Sequence, residues 1–470
     1  MKDLILSLIF LLSCISAHAT NLQLSTPILY LEDGTATAVF NLSWDNAWHN
    51  EKNHDAIWLF CKSIPNEGQA HHIRVLPQGH EVVANFSPEP VELDFEVAAD
   101  SVGVFIFPEA DCRGNISLTL TLALSYKDLE SLDNRNSSLS VFGIEMVHIP
   151  EGGFTLGEPG ERAKKYGGIY RPQEGTAEVQ LPYLSSETAE LKVAPDGDLF
   201  YERKEGYEGD QTGTIPANFP KGVAAFYMMK YEITEGQYAA FLNTLSNDQR
   251  PQRDITQDEN YRSNGGTIYW EEEHFTTPYA NKPCAGTSWD DAMAFADWAG
   301  LRPMTEFEFT KAARGPRKPR ASEYPWGTSE KYLVQRLPNV NGVLMMNNGW
   351  TEEALSDDNL AYCSASYYWV MDLSGSLWER VVSIGHPVGR SFTGTHGDGK
   401  LSPQVSATNT DWPVGTSETG GVGFRGGGFY GYNREYHQFN PFSPIAYRPY
   451  GGWHGTNRSK AYGGRLVRSK

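Results

Sequence analysis

Residues whose side chains suit recognition or catalysis are concentrated in the C-terminal run 420–470. This run is dense in Tyr, Phe, Asn, Arg and His, is flanked by glycine pairs, contains no cysteine and has almost no aliphatic residue. A core strand or helix needs a regular apolar face, which this composition does not provide. The run therefore indicates either a loop-rich surface that contacts a ligand or the remnant of an active site.

The aromatic and polar residues of this run have the composition of a binding surface. Tyr and Trp give large contact areas at low entropic cost, and Asn, His, Ser, Gly and Arg supply adaptable hydrogen bonds. The candidate ligand-binding residues are Tyr430, Tyr432, Asn433, Tyr436, His437, Asn440, Tyr447, Tyr450, Trp453, His454 and Asn457. For any single ring, the alternative is packing within the protein's own core.

Length and charge limit the domain count and the class of partner. The chain has 470 residues, more than one ordinary core accommodates, so two domains are expected. It carries 39 basic and 58 acidic residues, and the net charge of −19 disfavours binding to nucleic acid or anionic lipid. Glycine-rich matches to nucleotide-binding motifs at 394–400 and 421–426 lack the strand and helix context that such sites need, so a nucleotide is not expected either.

Residues 1–19 have the features of a secretory signal peptide. A cationic start precedes an apolar run from Leu4 to Ile15, and Ala17 and Ala19 flank a cleavable bond. The alternative is a lipoprotein signal with Cys14 as the lipidated residue, which fits the local sequence less well. No later segment is apolar enough to form a transmembrane span. We therefore expect export, to the periplasm, the cell surface or the exterior.

Residues 20–126 alternate between apolar and polar in short runs. The runs are 36–44, 56–60, 91–97 and 116–122. Alternation at period two, with turn residues between the runs, predicts an antiparallel β-sandwich of about immunoglobulin size. The polar stretch 127–140 lacks apolar periodicity and is expected to be a linker.

Residues 141–470 combine helical and irregular patterns. Thr234, Ser288 and Thr305 each precede a helical apolar stripe and are followed three residues later by Gln, Asp or Glu, the spacing of a capping box. Short helices in a Gly- and Trp-rich chain predict an α+β domain with much irregular structure.

Four cysteines remain after the signal peptide: Cys61, Cys112, Cys284 and Cys363. In an exported chain they permit disulfides, and pairing Cys61 with Cys112 and Cys284 with Cys363 would keep each bridge within one domain. The alternative is four small buried thiols. No CxxC spacing is present, so a structural zinc site is not indicated.

Several segments of the second domain resemble the formylglycine-generating enzyme (sulfatase-modifying factor) family. The matching segments, in the family's order, are MVHIPEGGFTLG at 146–157, FYMMKYEITEGQYAAFLN at 226–243, GTSWDDAMAFADWAGLRPMTEFEFTKAARG at 286–315, YPWG at 324–327, MDLSGSLWERV at 371–381, FRGGGFYG at 424–431 and YGGRLV at 462–467. The resemblance covers about 141–470 and implies a variant C-type-lectin-like fold with a surface assembled from loops.

The family's enzymes hold copper with a cysteine pair near the C-terminus and oxidise a substrate cysteine. The corresponding stretch here is about 437–447, HQFNPFSPIAY, and no cysteine follows Cys363. Copper(I) needs soft thiolate ligands, so the departure argues against copper and against the family's chemistry while leaving the scaffold. A relocated site at Cys284 or Cys363 is the alternative.

The family also binds structural calcium through loop oxygens. The equivalent loop here is 375–379, in which Ser376 replaces an amide ligand and Glu379 is retained. A hydroxyl is a poorer oxygen donor for calcium, so Ser376 and Glu379 are the candidates for a calcium site that stays open.

The sequence thus predicts an exported, non-catalytic relative of these enzymes whose C-terminal loops bind a protein or glycan at the cell surface. Two alternatives remain: an oxidase acting on a protein cysteine with unconventional ligands, and a structural component of the cell envelope. The tail also resembles variable proteins diversified by retroelements, in which adenine-rich codons near the 3′ end are mutated.

Overall fold

The computed structural model describes residues 21–470 except 33, 67, 131–136, 173–178, 203–209, 211, 264, 331–351, 415–419, 429–442, 454 and 456. Its strands are β1 (Gln23–Leu24), β2 (Ile28–Glu32), β3 (Thr35–His49), β4 (Asp55–Pro65), β5 (His71–Ile73), β6 (Glu81–Asn85), β7 (Leu93–Val97), β8 (Val104–Pro108), β9 (Cys112–Leu124), β10 (Ser137–Ile149), β11 (Phe154–Thr155), β12 (Tyr183–Leu184), β13 (Leu191–Val193), β14 (Gly213–Ile215), β15 (Phe226–Met229), β16 (Tyr269–Glu271), β17 (His274–Thr276), β18 (Arg302–Pro303), β19 (Trp378–Val382), β20 (Val422–Arg425), β21 (Tyr462–Gly463) and β22 (Leu466–Ser469). Its helices are α1 (Tyr126–Glu130), α2 (Arg162–Lys165), α3 (Glu235–Asn243), α4 (Arg250–Arg253), α5 (Glu259–Ser263), α6 (Trp289–Trp298), α7 (Glu306–Arg314), α8 (Leu360–Cys363) and α9 (Pro387–Arg390), with a 3-10 turn at Glu352–Ala354. Within these residues the fold is mostly sheet.

The first region contains two antiparallel sheets over a shared core. One has the order β1-β3-β9-β6, with β2 also paired to β3. In β3 the side chains alternate between buried and accessible, as the period-two pattern predicts. Phe40 and Leu42 of β3 share one apolar core with Leu59 of β4 and Ile106 of β8, strands that belong to the other sheet.

The second sheet continues from the first region into the rest of the chain. Its order is β18-β22-β15-β10-β4-β8-β7, with β5 also paired to β4. Strand β10 makes the connection, because it pairs with β4 over 137–147 and with β15 over 146–149. The polar stretch 127–140, expected as a linker, carries most of α1 and the first residues of β10. The division into two domains stays a prediction, since one sheet spans both parts.

Strand β4 is buried on both faces, which explains its nearly continuous apolar sequence. Leu59 faces the core of the first region, whereas Trp58 and Phe60 pack into the larger core that contains α3, α6 and β15. The indole Nε1 of Trp58 donates to the carbonyl of Ala299 at 2.8 Å. The guanidinium of Arg468 lies 4.6 Å from its ring centroid. These contacts join the two parts through packing as well as through strand pairing.

The capping boxes predicted at α3, α6 and α7 are confirmed. The hydroxyls of Thr234, Ser288 and Thr305 accept the backbone N–H three residues later, at 3.2, 3.0 and 3.2 Å. Each cap satisfies a backbone donor that the first turn leaves unpaired, and a cap of this kind contributes about 1 kcal/mol. The caps fix where α6 and α7 begin. Helix α7 carries Glu306, which accepts hydrogen bonds from Arg425 and Arg448 of the C-terminal segment.

A smaller sheet holds the C-terminal segment, with order β20-β19-β21 and a parallel pairing between β19 and β21.

Among the residues that the structure describes, no helix combines the length and the apolar character needed to cross a bilayer.

Candidate functional site

Two backbone hydrogen bonds hold the residues on either side of the run 429–442 close together. Ser443 donates its N–H to the carbonyl of Gly426 at 3.2 Å, and Gly375 donates to the same carbonyl at 3.0 Å. The residues that lead into and out of this run therefore lie side by side, next to the loop that precedes β19.

Glu306 of α7 anchors both flanks of the same run. Its carboxylate is fully buried and accepts from Arg425 Nη1 at 3.2 Å and from Arg448 Nη2 at 3.0 Å. Arg425 also donates to the carbonyl of Ile445 at 2.6 Å, and the backbone N–H of Ile384 completes the shell of Glu306 at 2.9 Å. A buried carboxylate between two guanidinium groups is stabilised by charge and by directional hydrogen bonds, and removing one partner leaves charge uncompensated.

The C-terminal segment presents two aromatic side chains, Tyr450 and Trp453, on a buried aromatic base. We call this pair the aromatic patch. Trp378 and Phe424 form the base together with Ala461, and both rings of the patch pack against it while staying partly exposed. Tyr450 meets Trp378 edge to face at 5.4 Å and Trp453 at 6.2 Å. Edge-to-face pairs of this kind restrict ring motion, so the patch is preorganised.

Arg380 and Gly455 fix the surroundings of the aromatic patch. Arg380 is buried and donates to the carbonyls of Thr287 and Asn457, each at 2.8 Å. Burial lowers the pKa of Arg380 to about 10, so it remains a cation at neutral pH. A Cβ at Gly455 would lie 2.4 Å from Nε1 of Trp453, so glycine is required for the ring to sit where it does. Partly exposed rings in a segment that also carries an exposed Asn, Asn457, suit a sugar ring or an apolar side chain with polar edges.

Of the predicted ligand-binding residues, the structure brings Tyr450 and Trp453 into contact and buries Tyr447. Tyr450, Trp453 and Asn457 lie within one segment, and Asn457 is exposed. Tyr447 is only 4% exposed and packs against Tyr166 at 4.1 Å, so it belongs to the core and its assignment to the surface is corrected. The predicted residues Tyr430, Tyr432, Asn433, Tyr436, His437, Asn440 and His454 lie outside the described residues.

The described cysteines are free thiols, three of them fully buried. Cys61, Cys112, Cys284 and Cys363 form no disulfide with one another, and Cys284 and Cys363 belong to different core clusters. Burial raises the pKa of Cys61 to about 12, that of Cys112 to about 11 and that of Cys284 well above its usual range. Thiolate is the form that binds soft metals and attacks electrophiles, so these environments oppose both roles.

Ser376 and Glu379 do not fit the calcium site for which they were candidates. The hydroxyl of Ser376 donates to Glu232 at 2.6 Å, and Glu379 accepts two hydrogen bonds from Arg465, at 2.9 and 2.7 Å. Burial, and then the neighbouring charge of Glu379, raise the pKa of Glu232 well above its usual range. Calcium needs about six to eight oxygen ligands. Here the positive charge beside Glu379 is the guanidinium of Arg465.

The charged residues that hold the C-terminal segment were not predicted as functional. In the sequence, Glu306 follows the helix cap Thr305, and Arg425 and Arg448 lie within the run 420–470. One sequence signal could have found these residues: a charged residue among Gly and aromatic neighbours is often buried, and a buried charge needs an oppositely charged partner. Which carboxylate meets which guanidinium depends on long-range packing, and sequence spacing does not specify it.

The sheet-rich architecture, the capped helices and the buried arginine–glutamate pairs define a loop-bearing domain in which buried charged groups hold the scaffold together. Residues 143–470 match the domain described as "Sulfatase-modifying factor enzyme 1-like domain" (FGE-sulfatase). The chain therefore belongs to the family of formylglycine-generating enzymes and their relatives, as its sequence motifs predicted.

Individual relatives match shorter segments. The chain is 29% identical over 152 residues to the inactive C-alpha-formylglycine-generating enzyme 2 of Mus musculus, covering 30% of this chain and 48% of the relative. It is 47% identical over 104 residues to the formylglycine-generating enzyme of Thermomonospora curvata, covering 22% and 34%. With the enzyme of Mycobacterium tuberculosis, identity is 28% over 109 residues, covering 23% and 36%. Each match spans less than half of the relative's length, and the relatives include both active and inactive proteins.

Proposed function

We propose that this protein is a non-catalytic member of its family that binds a protein or glycan ligand through its C-terminal loop surface. The observation that carries the proposal is the aromatic patch, Tyr450 and Trp453, held partly exposed on the buried base of Trp378 and Phe424. Rigid, amphipathic rings in a polar setting are the usual anchors of such surfaces.

Two further observations support the absence of catalysis. No cysteine follows Cys363, so the stretch that corresponds to the family's copper ligands contains none. The thiols of Cys61 and Cys284 are buried and protonated at neutral pH. A relative with the printed name "inactive" is compatible with a family that keeps its fold after losing its reaction.

The proposal is tested with the whole chain, because one sheet spans both of its parts. Binding to arrays of glycans and of purified surface proteins is measured for the wild type and for Trp453→Ala. Loss of the ring is expected to weaken binding of the recognised ligand by about tenfold or more. Trp270→Ala is the matched control, since Trp270 is 47% exposed on β16, in a sheet other than the one that holds the C-terminal segment, and its loss should leave binding unchanged.

Other results would favour a different function. Stoichiometric copper binding together with aldehyde formation on a cysteine-containing sulfatase peptide would contradict the proposal and favour the oxidase. Equal binding by the wild type and Trp453→Ala would show that the aromatic patch is not the binding surface. Incorporation into the cell envelope without any discrete ligand would favour a structural component.

Export is part of the proposal. It is supported by the apolar run and the small residues at 1–19, and N-terminal sequencing of the mature protein would locate the cleavage. A mature chain that starts after Ala19 is expected, whereas a lipidated Cys14 would indicate anchoring. Near-identical repeats of the C-terminal codons beside a reverse-transcriptase gene would indicate that a retroelement diversifies the C-terminal segment.

A further inference from the structure

Lys230 places a buried amine where the first region meets the rest of the chain. The side chain is 1% exposed, and among the described residues its Nζ has no hydrogen-bond partner. Nζ lies 4.9 Å from the centroid of the Trp48 indole and 5.5 Å from that of the Tyr231 ring. Burial of a charged amine among rings, without a hydrogen-bond acceptor, costs free energy that a chemical change to a neutral group would recover.

Asp55 presents a carboxyl group to this amine. It is fully buried at the start of β4, and its Oδ1 accepts the backbone N–H of Trp48 at 3.0 Å. Its Oδ2 has no hydrogen-bond partner within the described part of the chain and lies 3.8 Å from Nζ of Lys230. The two oxygens therefore differ. An N–H that donates to Oδ1 stabilises the negative charge which develops there when a nucleophile attacks Cγ, while Oδ2 is free to leave.

Glu145 lies between the two groups. Its strand, β10, pairs with β4 on one side, where Val147 is opposite Asp55, and with β15 on the other. The backbone carbonyl of Glu145 accepts the N–H of Lys230 at 3.0 Å. Residues 145 and 147 share a face of the strand, so the side chains of Glu145 and Asp55 lie on the same side of the sheet. Oε1 of Glu145 is 3.8 Å from Nζ of Lys230.

The ionisation of these groups permits proton exchange among them. Burial lowers the pKa of Lys230, but the charges of Glu352, Glu145 and Asp55 raise it by more, so the amine rests as a cation. Burial raises the pKa of Glu145 to about 8 and that of Asp55 to about 6. Carboxyl groups with pKa values near neutrality both take up and release protons readily, which is what a proton carrier requires.

Glu352 is the counter-ion of Lys230 rather than its reaction partner. Its Oε2 is 3.5 Å from Nζ of Lys230, and its Oε1 accepts a hydrogen bond from the Tyr231 hydroxyl. It belongs to a short 3-10 turn, whereas Asp55 and Glu145 are fixed on paired neighbouring strands. Groups held by a rigid sheet keep the alignment that a bond-forming step needs.

We propose that Lys230 and Asp55 form an intramolecular amide bond, with Glu145 carrying the protons. Two protons pass from Nζ to Oδ2, the bond between Nζ and Cγ of Asp55 forms, and the bond between Cγ and Oδ2 breaks. An ammonium and a carboxylate thereby become one amide and one water molecule, so no oxidant, reductant or cofactor takes part.

The bond links β4 of the first region to the residue that follows β15, across β10. It also removes two opposite charges from an apolar setting, and the amide oxygen keeps the backbone N–H of Trp48 as its donor. This modification is independent of ligand binding at the aromatic patch. Its role is to fasten the two parts of the chain covalently where one sheet spans them.

The experiment is mass spectrometry of the full chain, purified folded and then denatured. The wild type should be lighter than its sequence by one water molecule, and a protease digest should contain one pair of peptides joined through Lys230 and Asp55. Lys230→Arg keeps the charge but cannot form the amide, so it should have its full mass. Lys192→Arg, at an exposed ion pair with Asp196, should still lose the water.

Two further variants test the chemistry. Asp55→Asn forms the same amide by releasing ammonia, so the linked variant should have the same mass as the linked wild type. Glu145→Gln removes the proton carrier and should slow the bond formation by about a hundredfold or more, so that most freshly purified chains keep their full mass.

The wild-type measurement decides the proposal even if the variants do not fold. A wild-type chain of full mass would overturn it. A digest in which Lys230 is joined to Glu145 or Glu352, or in which the water is lost elsewhere, would overturn the assignment to Asp55. Unchanged linkage in Glu145→Gln would overturn the role of that carboxyl group.

Discussion

Arg448 lies over the ring of Tyr201, with its guanidinium carbon 4.2 Å from the ring centroid, while its nitrogens donate to the buried carboxylate of Glu306. This arrangement ties the C-terminal segment to α7 and, through Tyr201, to the loops that follow β13. The position of the aromatic patch therefore depends on a charge pair that makes no contact with solvent.

Arg448→Ala is expected to lower the free energy of unfolding by about 3–5 kcal/mol, because it leaves Glu306 with less compensation in a buried setting. Denaturant unfolding measures this change, and ligand binding at the patch should weaken in parallel. The control is Arg74→Ala, which removes a surface pair with Asp128 and should cost about 1 kcal/mol or less. Similar costs for the two variants would contradict the anchoring role.

Trp58→Ala tests the connection between the two parts of the chain. Trp58 is fully buried, packs on Phe105 at 4.6 Å and hydrogen-bonds to Ala299, so truncation should cost about 3–5 kcal/mol. Because β10 belongs to a sheet that spans both parts, calorimetry of the wild type should show one transition. Trp270→Ala, at an exposed ring, should change stability by about 1 kcal/mol or less. Two separated wild-type transitions would contradict this coupling.

Acid should destabilise the protein through stacked histidines at the junction. His148 and His54 stack at 4.8 Å, and burial lowers the pKa of His54 to about 4 and that of His148 to about 3. Between those values and the unfolded pKa of about 6.5, the unfolded state binds more protons, so stability falls as pH falls. Relative to His148→Phe, the wild type should lose about 1–2 kcal/mol between pH 7 and pH 5. A constant difference between the two proteins over this range would refute the assignment.

Glu145 should act in the opposite direction. Its pKa in the folded protein is raised to about 8, mainly by burial, so between the unfolded value of about 4.5 and 8 the folded state binds more protons. Stability from this group is therefore lost as pH rises, by up to about 3 kcal/mol between pH 5 and pH 8. Urea unfolding of Glu145→Gln should lack this slope, whereas Glu109→Gln should keep it. A Gln variant that follows the wild-type slope would contradict the assigned pKa.

Thiol reactivity distinguishes packed thiols from disulfides. Cys61, Cys284 and Cys363 are each 0% exposed, so in the native protein they should not react with Ellman's reagent within minutes. Cys112 is partly exposed, but its raised pKa should keep it slow. In guanidinium chloride without reductant, all of them should react. Rapid native labelling of Cys284 or Cys363 would reopen the catalytic alternative, and missing reactivity in denaturant would indicate a disulfide.

The family and the local elements could be predicted from the amino-acid sequence alone. Motifs such as 286–315 and 371–381 identify the scaffold, and the period-two runs and capping boxes predict β3, β9, α3, α6 and α7 because those signals are local. The absence of cysteine after Cys363 is likewise readable without coordinates.

Which side chains meet could not be predicted from the sequence, because it depends on long-range packing. Tyr447 and Tyr450 have similar sequence surroundings, yet one ring is buried against Tyr166 and the other stays partly exposed. Local propensity does not encode burial in an irregular segment, since burial depends on distant residues such as Glu306. The same holds for the polar stretch that begins β10, because its strand forms only by pairing with β4 and β15, which are far from it in sequence.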